Sequence, residues 1–242
     1  MPHPDHPCAL HLKVEDSRQA ILRAAVAEFA ELGEAGARTD AIARAAGVNK
    51  ALLHYYFGSK EGLYSAVLDQ VFTGLVEGFL DGLHGPGTPG ERLLRHFLAH
   101  FDRLAASGSF ARLLGHEMMR ARAGQATRIS EIVKICFAPL HAALCATLGE
   151  GMASGELRSQ DPGCAVLALT GANVFYFMSA PFFREISAKD PRAPDMLARQ
   201  RIALLDIAAT TLFSDPVQGR TLAQRIPSDP PGPRTPAQGE PS

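Results

Sequence analysis

Along almost the whole chain the apolar residues return every three or four positions, and no run bounded by turn residues alternates with period two. Leu22, Val26, Phe29 and Leu32, for example, share one helical face. That spacing belongs to helices with one buried stripe, so the predicted fold class is all-α. With 242 residues, 46% of them hydrophobic, the chain can bury the core of one large or two modest domains.

Turn and cap residues divide this pattern. Asp16 and Gln19 stand at capping-box spacing, which predicts a first helix from Asp16 or Ser17 to Gly33. Thr39 is expected to cap a short second helix over 40–46, and Gly47 to end it in a left-handed conformation. A third helix is predicted over Lys50–Phe57 and a longer one over Lys60–Leu83, capped by Ser59. "HGPGTPG" then breaks the chain. Thr88, Pro89 and Glu91 supply a cap, a first-turn proline and a capping-box acid for the next helix. Further helices are expected over Ser109–Ala123, Thr127–Ser154, Asp161–Ile186 and Pro194–Phe213. The predicted organisation is a disordered arm (1–14), a small head (15–75), a larger helical domain (76–214) and a Pro-rich disordered tail (215–242), the two ends having too little apolar surface to offset ordering entropy.

Composition narrows the function. Net charge is −1, with 24 basic against 25 acidic residues, so a polyanion must be held by a local patch. Cys8, Cys136, Cys145 and Cys164 form no C-x-x-C pair, which fits free thiols in a reducing cytoplasm and no metal site. The N-terminus lacks a basic region followed by an apolar one, so no secretory signal is expected. The uncharged stretch from Pro162 to Phe183 is long enough to span a bilayer, but Gly171, Asn173, Ser179 and Pro181 dilute it and Lys and Arg are not concentrated at either flank. A buried interface helix is the expected reading, with no membrane partner. His116 and Glu117 are adjacent and point about 100° apart on a helix, so they cannot chelate one metal. No H-E-x-x-H, G-x-S-x-G or phosphate-loop pattern is present, and no enzyme or cofactor is expected.

The stretch "GVNKALLHYYFGSK" carries the most specific chemistry. Two short helices joined at Gly47 make a helix-turn-helix, the unit that lays its second helix in the DNA major groove. Leu53, Tyr56 and Phe57 share the face expected to pack on Leu22, Val26 and Ile42. Lys50, Ala51 and His54 then face outward, with Leu52 and Tyr55 at the edges. Lys50 can donate to guanine or phosphate, His54 to a base acceptor, and Ala51 or Leu52 can touch a thymine methyl. Tyr55 and Lys60 suit phosphate, as do the free N–H groups at the helix starts after Thr39 and Ser59. Seven basic and seven acidic side chains lie between Lys13 and Gly62, so the reading rests on arrangement and not on a basic domain.

Residues 37–68 closely resemble the DNA-binding region of TetR/AcrR-type transcriptional regulators. The recurring pattern is carried by Thr39, Ala43, Ala46, Gly47, Val48, Asn49, Lys50, Leu53, Tyr56, Phe57, Ser59, Lys60 and Leu63, with Ile42 ahead of Ala43. Three positions depart from it: His54 replaces the usual Tyr, Leu52 a small or polar residue, and Asp40 a position that is basic in some relatives.

What the resemblance implies is a ligand-responsive regulator, a repressor that binds a palindromic double-stranded DNA operator as a homodimer. Its DNA-binding residues would be Thr39, Asn49, Lys50, Ala51, Leu52, His54, Tyr55 and Lys60. The two recognition helices would lie about 34 Å apart, reading consecutive major grooves. The last two long helices would pair with their partner copies, using the small residues Ala165, Ala168, Gly171 and Ala172 and a stripe of Leu197, Leu204, Leu205, Ala208 and Leu212. The larger domain would hold a hydrophobic or aromatic effector among Phe97, Phe101, Phe110, Leu113, His116, Glu117, Met118, Phe137, Phe175 and Tyr176, and the helix after Lys60 would act as the lever. The competing reading is an interaction or ligand-binding protein with this fold that does not itself read DNA.

Overall fold

A computed structural model describes residues 7–76, 79–124 and 128–226. Its helices are α1 (Pro7–Gly36), α2 (Thr39–Ala46), α3 (Lys50–Phe57), α4 (Lys60–Val76), α5 (Phe79–Leu83), α6 (Pro89–Ala106), α7 (Phe110–Arg122), α8 (Arg128–Ile132), a π-helical turn (Val133–Phe137), α9 (Ala138–Ala153), α10 (Pro162–Met178), α11 (Ala180–Ser187), α12 (Pro194–Leu212) and α13 (Pro216–Arg225). Among the described residues there is no strand, only one antiparallel bridge between Leu157 and Phe213. The fold is all-helical, as the spacing predicts.

Several boundaries differ from expectation. α1 runs from Pro7, so the Asp16 and Gln19 spacing does not mark a helix start, and part of the expected N-terminal arm is helical. Near its other end α1 breaks at Gly33 (φ 66°, ψ 177°), a conformation that only glycine adopts without strain. Thr39 is the first residue of α2, while Arg38 holds the cap position and donates its N–H to Glu28 Oε1 at 3.2 Å. The Lys60–Leu83 helix is represented by α4 and α5, on either side of residues 77–78, which lie outside the described set.

The uncharged stretch is bent by 64° between α10 and α11. Pro181, in the first turn of α11, cannot continue the α10 hydrogen-bond ladder, and Ser179 Oγ donates to Phe175 O at 2.6 Å. The run Arg128–Ala153 is itself long and apolar enough to cross a membrane by length and composition. Its Leu140, Leu144 and Leu148 pack in a protein core.

The expected disordered tail is corrected over its first part. Asp215 Oδ1 caps α13 by accepting from Val217 N at 2.8 Å, Pro216 opens it, and Leu222, Ala223 and Ile226 give it an apolar face against α12 and α6. The remainder of the predicted tail lies outside the described residues.

Two apolar clusters hold the molecule. One joins Ile21, Leu22, Phe29, Ile42, Leu53 and Leu63 of the head to Phe101, Phe110, Leu113, Phe177 and Leu204 of the larger part. The buried residues of the other lie beyond α4, around Leu94, Phe97, Leu148, Leu169, Ala208 and Phe213, with Val76 at the end of α4 packed against them. The head is therefore not an isolated bead, since its core continues into α6 and α7.

Candidate nucleic-acid interface

The face of α3 is set by what its other side buries. Leu53 is fully buried, and Tyr56, Phe57 and Leu52 pack partly against the same cluster as Leu22, Val26 and Ile42. Lys50, Ala51, His54 and Tyr55 are left exposed, Tyr55 to 79%. Positions i, i+1, i+4 and i+5 form one ridge. Leu52, expected at its edge, contributes to packing instead.

Caps fix the ends of this ridge. Asn49 Oδ1 accepts from Ala51 N at 2.9 Å, so its side chain starts α3. Gly47 (φ 67°) ends α2 in the left-handed region, as predicted. At the far end, Ser59 Oγ accepts from Gly62 N at 3.1 Å and begins α4.

Besides Asn49, three polar side chains of the predicted set already have partners. Lys50 Nζ lies 2.9 Å from Asp40 Oδ1, and this partner holds the Asp40 carboxyl below the usual carboxylate range. Both groups are largely exposed, so the pair is loosely held. Lys60 Nζ donates to Ala35 O at 3.2 Å, at the end of α1. His54 Nδ1 donates to Gly58 O at 3.2 Å, which leaves Nε2 as the ring nitrogen open to a base edge.

The expected effector residues do not form one cavity. Phe101, Phe110 and Leu113 are buried together, with Phe137 and Tyr176 packed partly against them. Phe72, which sequence reasoning missed, joins this set with its ring 5.0 Å from Phe110 and 6.4 Å from Phe137. Phe97 lies in the other cluster. Met118 and Phe175 are 51% and 65% exposed, so neither lines an interior. His116 and Glu117 sit where α7 meets α1 and α4. An open groove of about 450 Å³ lies on the head between α1 and α4, lined by Arg18, Gln19, Leu22, Ala66, Asp69, Gln70 and Thr73, none of them an expected effector contact.

Beside the aromatic set lies a buried polar group that was also missed. His96 and His100 are each 7% exposed, with parallel rings 6.3 Å apart. Asn173 Nδ2 donates to Phe97 O at 3.0 Å and to His100 Nδ1 at 3.2 Å. Burial, aided by the nearby Arg103 charge, pushes His96 down to about 3 and His100 to about 4, so both are neutral at pH 7. Their i, i+4 spacing among Leu93, Leu94, Phe97 and Phe101 is the signal that could have found them.

Comparison with known proteins agrees with this architecture. Residues 21–67 match the family described as bacterial regulatory proteins, tetR family, and residues 89–207 match the tetracyclin repressor-like C-terminal domain. The HTH-type transcriptional repressor SCO4008 of Streptomyces coelicolor is 40% identical over 100 residues, 37% of this chain and 47% of that protein. The chain thus spans about half the length of this curated relative. The Streptomyces coelicolor protein SCO4942, described as a transcriptional regulator, is 28% identical and superposes with a TM-score of 0.60 over 81% of this chain and 98% of its own. FadR of Bacillus subtilis, solved in complex with stearoyl-CoA, shares the fold at 22% identity and a TM-score of 0.58, covering 79% and 97%. With a helix-turn-helix of the right register at one end and the matching helical domain at the other, the chain belongs to the TetR family of bacterial transcriptional regulators.

Proposed function

We propose that this protein is a cytoplasmic repressor that binds a palindromic DNA operator as a homodimer and is released by a small hydrophobic or aromatic effector. The observation that carries the DNA reading is the exposed α3 ridge of Lys50, Ala51, His54 and Tyr55, held in place by the buried Leu53 behind it. Contact residues are Lys50, Ala51, His54 and Tyr55 for the groove, with Thr39, Asn49 and Lys60 at helix ends beside the phosphates. Support for the dimer is an unpartnered stripe on α10, where Leu167, Ala168, Ala172 and Phe175 are exposed at helical spacing, together with apolar residues exposed on α12. Leu204, Leu205, Ala208 and Leu212 are buried within the single chain, which leaves Ile202 and Ile207 as the exposed large apolar residues of α12. For the effector, the aromatic cluster of Phe72, Phe101, Phe110, Phe137 and Tyr176 is the favoured wall, and the acyl chain bound by FadR is a ligand of the same apolar character.

The Asp40–Lys50 pair favours a second reading, in which the fold is kept without base reading, because it neutralises the one lysine on the ridge. One selection experiment separates the two. Random duplex DNA is bound to the parent, to Lys50→Ala/His54→Ala and to Asp40→Ala at two salt concentrations. The first reading requires a palindromic motif from the parent, its loss in the double variant, and tighter, more salt-sensitive binding by Asp40→Ala, with a slope steeper by about one phosphate contact. Absence of any enriched motif from a folded dimer supports the second.

A further inference from the structure

The ion pair between Asp40 and Lys50 lies on the outer edge of the helix-turn-helix and joins the starts of its two helices. Asp40 is in the first turn of α2, Lys50 opens α3, and their side chains meet at 2.9 Å across the turn at Gly47. Ile42 and Ala43 are buried behind α2 and Leu53 behind α3, which keeps the pair on the outside. The Asp40 and Lys50 side chains are 65% and 45% exposed.

Charge cancels in this pair, but hydrogen-bonding capacity does not. The lysine ammonium spends one N–H on Asp40 and keeps its others, and the carboxylate keeps the lone pairs that Lys50 leaves unused. The hydrogen bond and charge of Lys50, with smaller influences from Arg44 and His54, hold the Asp40 carboxyl below the usual carboxylate range, so at neutral pH it only accepts. The edge therefore presents an acceptor and a donor side by side.

That order complements a cytosine–guanine pair seen from the major groove. Cytosine offers its N4 amino group as a donor and guanine its O6 and N7 as acceptors, and N4 and O6 are hydrogen-bonded to each other about 2.9 Å apart. The ion pair has the same separation. In the reversed base pair, guanine O6 would face Asp40 and the cytosine amino group would face Lys50, acceptor against carboxylate and donor against ammonium. A lone lysine reads guanine on either strand, whereas a lysine tied to a carboxylate tells the strands apart. An adenine–thymine pair in the same sense gives Lys50 only thymine O4, beside the methyl group, where guanine gives it two acceptors.

We infer that Asp40 and Lys50 together read one C·G base pair in a fixed orientation in each half of the operator, cytosine by Asp40 and guanine by Lys50. This rests on the repressor reading above and adds the base pair that one position selects. Asp40 is then a specificity residue, and its charge works against the wrong base pair as much as it helps the right one.

The test takes the full-length parent, Asp40→Ala and Asp40→Asn through selection from random duplex DNA. Binding to the parent's motif is then compared with duplexes in which one base pair per half-site is exchanged. Expected for the parent is a C·G pair in each half-site whose reversal to G·C weakens binding about tenfold or more. In Asp40→Ala affinity should rise most on the reversed duplex, so that this preference falls about tenfold while preferences at every other position hold. Asp40→Asn, whose amide can pair with adenine N6 and N7, should move the preferred base from cytosine to adenine. If Asp40 does no more than neutralise Lys50, both variants bind every duplex more tightly by one common factor and the parent's motif is unchanged, which overturns the proposal. A parent motif in which no base pair responds to Asp40 also overturns it and leaves the repressor reading standing. If the parent selects no motif, the repressor reading fails first and this proposal falls with it.

Discussion

At Gly62 the first turn of α4 passes so close to the end of α3 that an added methyl would lie 2.2 Å from the Phe57 carbonyl oxygen. That contact fixes the angle between the recognition helix and the helix leading out of the head. Gly62→Ala is therefore expected to cost about 1–3 kcal/mol, as overpacking does. Gly74→Ala, in the same helix with open space around it, should stabilise by about 0.5–1 kcal/mol. Urea denaturation of the two variants checks both signs, and equal effects would refute the steric account. At this scale the sequence is most readable where one residue type answers one backbone demand. Gly47 ends α2 as predicted. The partners of Lys50 and Lys60, Asp40 and Ala35 O, are not legible in the sequence because they depend on how helices approach in space.

Among the elements, α6 is the helix whose start is most legible. Thr88 and Glu91 form the predicted capping box, with Thr88 Oγ1 accepting from Glu91 N at 3.2 Å and Glu91 Oε2 accepting from Thr88 N at 3.1 Å. Its interior holds His96 and His100, which make stability pH-dependent. Their folded pKa values, about 3 and about 4, lie below the ordinary value near 6.5, so the unfolded chain takes up protons first as pH falls. The stabilising contribution is whole above pH 6.5 and declines toward pH 4 and 3, by at most about 2 kcal/mol per histidine between pH 6.5 and 5. His96→Phe, which keeps a ring against Phe79 and removes the unpartnered Nδ1, should flatten the fall in urea midpoint between pH 7.5 and 5. An unchanged slope would show that His96 is solvated. Helix periodicity revealed these elements but not the 64° bend at Ser179 or the face to which Phe175 belongs. An aromatic residue in an apolar helix reads the same whether it faces a cavity, a core or another chain.

For the whole molecule, the exposed α10 stripe sets the expected assembly. Phe175→Glu should convert a dimer to monomers in sedimentation at micromolar concentration while leaving helical content intact, because Phe175 makes little contact within the chain. A folded dimer in that variant would move the interface elsewhere. The last described helix closes over the beginning of the larger domain. Gly90, in the first turn of α6, has room only for hydrogen because Phe213 lies against it, and Gly219 of α13 meets the same ring from another side. Glu156 accepts from Gly90 N, and the backbone beside it pairs with Leu212 and Ser214. Synthesis runs the other way. The head is complete in sequence once α4 has emerged from the ribosome, whereas the seat of α6 waits for residues beyond 212. A nascent chain would thus present its recognition helix well before the second core has its last side, and a stall between α9 and α13 would leave the Leu148–Phe97 region open to other proteins.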